Sequence, residues 1–125
     1  MKNILVLDDN QDVLEAVSMR LNKYLKGVNI LTASDGSEGK AILRSKPIDM
    51  VVTDLSMPVI NGYMLIEHAK KHYPAVPVCV MTANYSPEII GKLQSLGVGR
   101  WIQKPFKFDQ LARMIAEELN LTFSD

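Results

Sequence analysis

The chain has little that would direct it to a membrane, to nucleic acid or to a disulfide-stabilised fold. Its 14 basic residues balance 14 acidic ones, so no excess positive charge predicts binding to nucleic acid or to an anionic membrane. Its apolar runs are too short for a membrane span or a signal peptide. The single cysteine, Cys79, cannot form an internal disulfide, which fits a reducing compartment. We therefore expect a cytoplasmic protein that contacts neither membrane nor nucleic acid directly.

What is present is the composition of an ordinary globular domain. Hydrophobic residues make up 47% of the 125 residues and charged residues 22%, which is enough apolar material for one substantial core. Neither internal repeats nor low-complexity linkers divide the sequence. We therefore expect a single domain over residues 1–125.

Five short apolar runs alternate with segments of helical spacing. The predicted strands cover residues 3–7, 28–32, 49–53, 76–81 and 100–103. The first, third and fourth are nearly continuous in apolar residues, which is typical of parallel strands covered on both faces. Strands that alternate with helices predict right-handed crossovers and a doubly wound α/β sheet. Five strands suit a flavodoxin-like (βα)5 fold, with strand order 2-1-3-4-5 and helices on both faces.

The helices are marked by apolar stripes and by residues that favour helix ends. The stripes are Leu14, Val17, Leu21 and Leu25; Ile66 and Ala69; Ile89, Ile90, Leu93 and Leu96; and Leu111, Ile115 and Leu119. A shorter helix is predicted over residues 39–45, before Pro47. Asn10 is expected to cap the first helix, and Gly27 and Gly97 lie where helices should stop.

Polar side chains stand where the predicted strands end. Asp8 and Asp9 follow the first strand, Asp54 the third, Thr82 the fourth and Lys104 the fifth. The carboxyl ends of parallel strands share one edge of a sheet, and ligands bind there at the switch point between the first and third strands. Three neighbouring carboxylates repel one another, so either some are protonated or a hard cation holds them together. Mg²⁺ suits such oxygen ligands.

This pattern resembles the receiver domains of two-component response regulators, over essentially the whole chain. The matching motifs are the acidic pair in LDDN, the run Asp54-Leu55-Ser56-Met57-Pro58 with Gly62 after it, Thr82-Ala83, and Lys104-Pro105-Phe106. Each motif alone is weakly specific. Four motifs in order, each at its own strand end, are highly specific because independent features agree.

The resemblance implies a role for each side chain at this edge. Asp54 would be the nucleophile that accepts a phosphoryl group from a donor held in line. Mg²⁺, with Mn²⁺ as a substitute, would be held by Asp8, Asp9 and Asp54 and by the backbone carbonyl of Ser56. Lys104 would pair with Asp54 before the transfer and with a phosphoryl oxygen afterwards.

The implied switch links Thr82 to Trp101. When the Thr82 hydroxyl turns toward the phosphoryl group, it leaves space for an aromatic side chain three residues before the lysine. Relatives usually carry Tyr or Phe at that position, and the larger ring of Trp101 is expected to enter the space less easily. The family also implies a cis peptide bond between Lys104 and Pro105.

Two small polar residues are expected to tune the lifetime of the acyl phosphate. Ser56 stands two residues after Asp54, and Asn84 stands two residues after Thr82. Both would flank the path of an attacking water, and neither is large enough to shield the phosphoryl group. A moderate lifetime is therefore expected.

Partners follow from the resemblance. The donor would be a phosphohistidine on a sensor histidine kinase or a histidine phosphotransfer protein, docking near the first helix and residues 105–106. Output to an unknown partner or output domain would run through residues 87–119. Ile89, Ile90 and Trp101 are candidates for that surface, although the two isoleucines fit a core equally well. A phosphorylation-dependent dimer is also compatible. Only residues 121–125 follow the last predicted helix, so the chain is either a stand-alone regulator or a receiver from a longer protein.

Three other functions share parts of this pattern. A haloacid-dehalogenase-like phosphohydrolase needs D-x-D after the first strand, where this chain has Asp8-Asp9-Asn10, so no turnover of external substrates is expected. A flavodoxin-like FMN carrier needs a phosphate loop, which an acidic LDDNQD segment would oppose. A receiver that never takes phosphate would not need Asp54, Thr82 and Lys104 together. His68 and His72 have the spacing of a metal pair, but are interpreted as a solvated face, and Cys79 as a buried, inert thiol.

Overall fold

Strands and helices alternate in the computed structural model, which describes residues 1–57 and 61–124. The strands are β1 (Lys2–Leu7), β2 (Val28–Ala33), β3 (Met50–Asp54), β4 (Val78–Thr82) and β5 (Arg100–Gln103). The helices are α1 (Gln11–Tyr24), α2 (Gly36–Ser45), α3 (Gly62–His72), α4 (Pro87–Ser95) and α5 (Phe108–Leu119). All strand pairs are parallel and the sheet order is β2-β1-β3-β4-β5. The predicted doubly wound fold is confirmed.

Side chains from alternate positions of each strand enter two different cores. On β1, Ile4 and Val6 belong to the core beneath α1 and α5, whereas Leu5 and Leu7 belong to the core beneath α2, α3 and α4. All four are completely buried. Burial on both faces explains why this strand is a continuous apolar run rather than an alternating one. None of the helices in residues 1–57 and 61–124 is both long and apolar enough to cross a bilayer.

Helix ends follow the local chemistry of the sequence. The Asn10 side chain accepts hydrogen bonds from the backbone N–H groups of Asp12 and Val13, so the predicted cap of α1 is confirmed. Gly27 and Gly97 adopt φ values of 74° and 82°, a conformation that glycine tolerates best.

Two predicted starts were wrong by two or three residues. Helix α2 begins at Gly36, three residues before the predicted start, because the Asp35 side chain caps it by accepting from the Glu38 N–H at 2.8 Å. Strand β4 begins at Val78 rather than at residue 76, because the Val76 N–H closes a turn onto the Tyr73 carbonyl at 3.0 Å.

The third and fourth strands also end one residue later than predicted. Asp54 is the last residue of β3 and pairs in register with Met81. Thr82 is the last residue of β4 and pairs with Gln103. Both polar residues are therefore held by the sheet itself rather than by the loops that follow.

The residues after α5 turn back onto the end of α1, a feature for which the sequence analysis assigned no structure. Asn120 ends the helix in the left-handed conformation. Phe123 forms an antiparallel bridge with Leu25, and its ring stacks on Tyr24 with centroids 5.6 Å apart. The Arg113 guanidinium also lies over the Phe123 ring, 4.2 Å from its centroid.

Candidate functional site

The carboxyl ends of four strands bring the predicted site residues to one edge of the sheet. Asp8 follows β1, Asp54 and Thr82 end β3 and β4, and Lys104 follows β5. Asp8 is 1% exposed, Thr82 4% and Asp54 9%. Burial of two carboxylates is unfavourable unless they are paired or hydrogen-bonded, so their partners decide what this edge can do.

Lys104 is the shared partner of both buried carboxylates. Its ammonium nitrogen lies 2.6 Å from Asp8 Oδ2 and 3.2 Å from Asp54 Oδ2. The other oxygen of Asp8 accepts a hydrogen bond from the Asn10 backbone N–H at 2.9 Å. A single cation therefore offsets two anions, and the site retains a net negative charge.

The pKa values at this edge reflect that imbalance. Burial raises the pKa of Asp54 above its ordinary 3.8, and the negative charge of Asp8 adds to the rise, although Lys104 opposes it. Burial by itself would lower the pKa of Lys104, but its hydrogen bond to Asp8 and the charge of Asp54 outweigh that effect and raise it. Lys104 therefore stays a cation at physiological pH.

Asp9 completes a cluster of carboxylates. One oxygen from each of Asp8, Asp9 and Asp54 lies within 4.8 Å of the others. Asp9 is exposed, so its carboxylate is accessible to a cation from solvent. Hard oxygen donors at this spacing fit a divalent ion such as Mg²⁺. Ser56 is exposed in the loop after β3, and its N–H donates to Asp54 Oδ1 at 3.5 Å.

The Thr82 hydroxyl is engaged with the loop that follows β4. It donates to the Asn84 carbonyl at 3.2 Å and accepts from the Asn84 N–H at 3.1 Å. The Asn84 side-chain oxygen in turn accepts from the Ser86 N–H at 3.1 Å. Rotation of the hydroxyl toward Asp54 would therefore require it to give up its bonds to the Asn84 backbone.

Trp101 lies on the same face of the sheet as Thr82. It pairs in register with Val80, two residues before Thr82 on β4, and alternate strand residues share a face. Its ring is partly buried and packs against the core beneath α4, which includes Leu93. Thr82 and Trp101 therefore lie on neighbouring strands, on the same face of the sheet and two residues apart in register.

An open cleft of about 350 Å³ gives access to Asp54. It is lined by Asp54, Leu55, Ser56, Tyr63, Thr82, Ala83, Asn84, Ile89 and Lys104. Tyr63 was missed in the sequence analysis, and Ile89 was assigned there to a core or an output surface. Its position directly after Gly62, the glycine of the motif that contains Asp54, could have indicated that Tyr63 lies near the site. Pro58, the last residue of the predicted D-x-x-M-P run, lies outside the described residues.

Comparison with known proteins identifies the family. The model of the response regulator receiver domain matches residues 4–116. The chain belongs to this family. Receiver domains are signalling domains of two-component systems, and the predicted family membership is thereby confirmed.

Related sequences come from both response regulators and sensor kinases. The receiver is 31% identical over 118 residues to the transcriptional regulatory protein GlrR of Escherichia coli (strain K12), covering 94% of this chain and 26% of GlrR. It is 31% identical over 118 residues to the CAI-1 autoinducer sensor kinase/phosphatase CqsS of Vibrio cholerae, covering 92% and 17%. The chain thus spans well under two thirds of these curated relatives.

Solved structures agree with the fold. The chemotaxis response regulator CheY4 of Vibrio cholerae superposes with a TM-score of 0.86 at 27% identity, over 94% of this receiver and 98% of that chain. A CheY-like receiver domain protein from Methanospirillum hungatei gives a TM-score of 0.89 at 26% identity, over 96% and 94%.

A second, more apolar groove of about 410 Å³ flanks the acidic edge of the receiver. It is lined by Asn10, Val13, Ala83, Lys104, Pro105, Phe106 and Phe108. The peptide bond between Lys104 and Pro105 is cis. The groove lies between the start of α1 and the loop before α5, where the sequence analysis expects the phosphodonor.

The remaining candidates lie away from the cleft. Cys79 is buried, and burial raises the pKa of its thiol to about 12, so the expectation of a buried thiol is confirmed. The rings of His68 and His72 are 4.6 Å apart. Burial and the nearby positive charge of Lys40 lower the pKa of His68, and that same charge opposes binding of a metal cation there.

Proposed function

We propose that Asp54 accepts a phosphoryl group from a phosphohistidine, and that the modified receiver signals through residues 87–119. The observation that carries this proposal is the Lys104 ammonium group, held between Asp8 and Asp54 at the end of an open cleft. A carboxylate is a poor nucleophile toward an anionic phosphoryl group unless nearby cations offset the charge. Lys104 supplies one such cation, and Mg²⁺ held by the carboxylate cluster would supply the second.

In the transfer, an oxygen of the Asp54 carboxylate forms a bond to phosphorus. The bond from phosphorus to the donor imidazole nitrogen breaks, and its electron pair stays on the nitrogen. Lys104 leaves Asp54 and donates to a phosphoryl oxygen, a change of partner that its flexible stem allows. Asp8, Asp9, Asp54 and the Ser56 carbonyl would hold Mg²⁺, which offsets the charge of the transferring group.

The switch begins with the hydroxyl of Thr82. A phosphoryl oxygen is a stronger acceptor than the Asn84 carbonyl, so the hydroxyl turns toward Asp54 once the acyl phosphate forms. Its departure frees space on the face that Trp101 shares. Trp101 and the neighbouring Tyr85 line a groove of about 430 Å³ beside β5 and α5, which is the surface we assign to output.

The donor is a sensor histidine kinase or a histidine phosphotransfer protein. The apolar groove beside Pro105 and Phe106 supports docking of a helical donor next to the acidic edge. The downstream partner is a protein or an output domain that reads residues 87–119. The receiver promotes its own phosphorylation and dephosphorylation and does not turn over external substrates.

Intact-mass measurement after incubation with acetyl phosphate and Mg²⁺ tests the phosphoacceptor. Wild-type protein should gain the mass of one phosphoryl group, and Asp54→Asn should gain none. Asp12→Asn, at an exposed aspartate in the first turn of α1, is the matched control and should be labelled like wild type. Absence of label on wild type, or equal labelling of Asp54→Asn, contradicts the proposal.

Fluorescence of Trp101, the single tryptophan of the chain, tests the switch. Acetyl phosphate with Mg²⁺ should change its emission in wild type and leave Asp54→Asn unchanged. Thr82→Ala should be phosphorylated but show a smaller spectral change. An equal change in Asp54→Asn would mean that the donor or the metal, rather than the acyl phosphate, moves the ring.

A further inference from the structure

The start of α3 lies directly against the backbone of the phosphoacceptor. The Gly62 N–H donates to the Leu55 carbonyl at 2.9 Å. A Cβ at Gly62 would collide with the Asp54 carbonyl oxygen and the Leu55 Cα. No side chain separates the two segments there, so the position of the next residue, Tyr63, is fixed relative to Asp54. Tyr63 and Asp54 line the same cleft.

A second helix holds the Tyr63 ring in place. The ammonium nitrogen of Lys92, on α4, lies 4.0 Å from the centroid of the ring, within the range of a cation–π interaction. Ile89, also on α4, lines the same cleft. One wall of the cleft is therefore built jointly by α3 and α4.

Helix α4 is attached to the domain by few buried side chains. Leu93 is its one buried residue, whereas α1 buries Leu14, Val17 and Leu21. The contact between Lys92 and Tyr63 therefore adds to the packing of Leu93 and Ile89 that links α4 to the cleft. A displacement of α4 would withdraw Lys92 from the ring.

We propose that Tyr63 is a positioning residue that limits the access of water to the phosphorylated Asp54. Lys92 holds the Tyr63 ring in the position that limits this access. This inference rests on the proposed function. In hydrolysis, a water oxygen forms a bond to phosphorus and the bond from phosphorus to the Asp54 oxygen breaks. The Asp54 carboxylate and inorganic phosphate result, and the proton of the water passes to solvent. A ring beside the cleft restricts the line along which that water must enter.

The position of α4 then influences the lifetime of the acyl phosphate. A partner that holds α4 against α3 would keep Lys92 over the ring and slow hydrolysis. A partner that draws α4 away would speed it. Ser56 and Asn84 are exposed and small, so they shield the acyl phosphate from water less than the larger Tyr63 does.

The rate of hydrolysis of the acyl phosphate tests the inference. The protein is phosphorylated, acetyl phosphate is removed, and the loss of the phosphoryl group is measured over time by intact mass with Mg²⁺ present. Tyr63→Ala should lose the label several-fold faster than wild type. Tyr63→Phe keeps the ring and should match wild type. Lys92→Met keeps an unbranched apolar side chain without the charge. Its acyl phosphate should be hydrolysed about two- to fivefold faster, which is the equilibrium effect of one exposed cation–π contact.

Two control variants separate an effect of the Tyr63 ring on water access from a general loss of structure. Tyr73→Ala, at the other end of α3, and Lys71→Met, on its exposed last turn, should both lose the label at the wild-type rate. If Tyr63→Ala does not fold, Lys92→Met and Tyr63→Phe still decide the matter. An unchanged rate in Lys92→Met, or an altered rate in Tyr63→Phe, overturns the inference. Failure of wild type to take any label would instead refute the proposed function.

Discussion

The ammonium nitrogen of Lys104 lies 2.6 Å from Asp8, an aspartate that is only 1% exposed. Its distance to Asp54, the proposed phosphoacceptor, is longer, at 3.2 Å. Before any phosphoryl group arrives, Lys104 therefore serves mainly as the counter-charge of a buried carboxylate. That stabilising role and the proposed chemical role use the same side chain, and substitutions can separate them.

Replacement of Lys104 by methionine should destabilise the fold. Asp8 and Asp54 would lose their shared cation, and unpaired buried carboxylates lower the free energy of unfolding, here by about 1 to 3 kcal/mol because the site is partly open to solvent. Urea unfolding without divalent ions measures the loss. Added Mg²⁺ should recover part of it. Lys107→Met, at an exposed neighbouring lysine, is the control; equal losses in both variants would contradict the interpretation.

Asp54→Asn should stabilise the metal-free protein at neutral pH. Burial holds the pKa of Asp54 above 3.8 in the folded state, so the folded protein binds this proton more tightly than the unfolded chain does. The stabilisation from that proton is complete below pH 3.8 and is lost as the pH rises through the folded pKa. Asparagine carries no charge at any pH. The free energy of unfolding of the variant should therefore exceed that of wild type by an amount that grows from acid to neutral pH.

Urea unfolding of wild type and Asp54→Asn over that pH range, in the presence of a chelator, measures the difference. A gain on the order of 1 kcal/mol is the scale expected for one such substitution. A variant that is less stable than wild type at neutral pH would show that pairing with Lys104 outweighs burial.

Two glycines in helices should respond in opposite ways to alanine. At Gly62 a Cβ would strike the backbone of Asp54 and Leu55, so Gly62→Ala should be strongly destabilising and should impair phosphorylation. At Gly91 a Cβ would meet open space, so Gly91→Ala should stabilise α4 by about 0.5 to 1 kcal/mol. Thermal unfolding of both variants checks the pair. Similar effects at the two positions would contradict the close approach at Gly62.

Phe123→Ala should destabilise the end of the domain that lies away from the cleft. The substitution removes the stacking on Tyr24 and the contact with Arg113, and we expect a loss of about 1 to 3 kcal/mol for this partly buried ring. Phosphorylation by acetyl phosphate should stay at the wild-type level. Met19→Ala, at a side chain that is 76% exposed, is the control and should change stability little.

Much of the fold and of the site composition follows from local patterns. The continuous apolar runs and helical stripes predict alternating strands and helices, because burial on both faces of a strand leaves no place for polar residues. The polar residues Asp8, Asp54, Thr82 and Lys104 stand where those runs stop. Parallel topology then brings strand ends to one edge, so their proximity could be inferred before any distance was known.

The element boundaries differed from the prediction because they depend on individual hydrogen bonds, both within a turn and between neighbouring strands. Asp35 starts α2 early through a side-chain cap, and the turn onto Tyr73 delays β4. Asp54 and Thr82 belong to the strands because neighbouring strands pair with them in register. A hydrophobicity pattern ends at the last apolar residue, whereas the ladder of hydrogen bonds continues beyond it.

The sequence by itself thus determined the family, the strand order and which polar residues lie at one edge of the sheet. Only the tertiary structure decided that Lys104 lies nearer Asp8 than Asp54, and that the Thr82 hydroxyl faces Asn84. It also placed Tyr63 beneath Lys92 and Phe123 on Tyr24. Apart from the contact of Thr82 with Asn84, these relationships join side chains that are distant in sequence. Their geometry depends on rotamers and helix positions that no local pattern encodes.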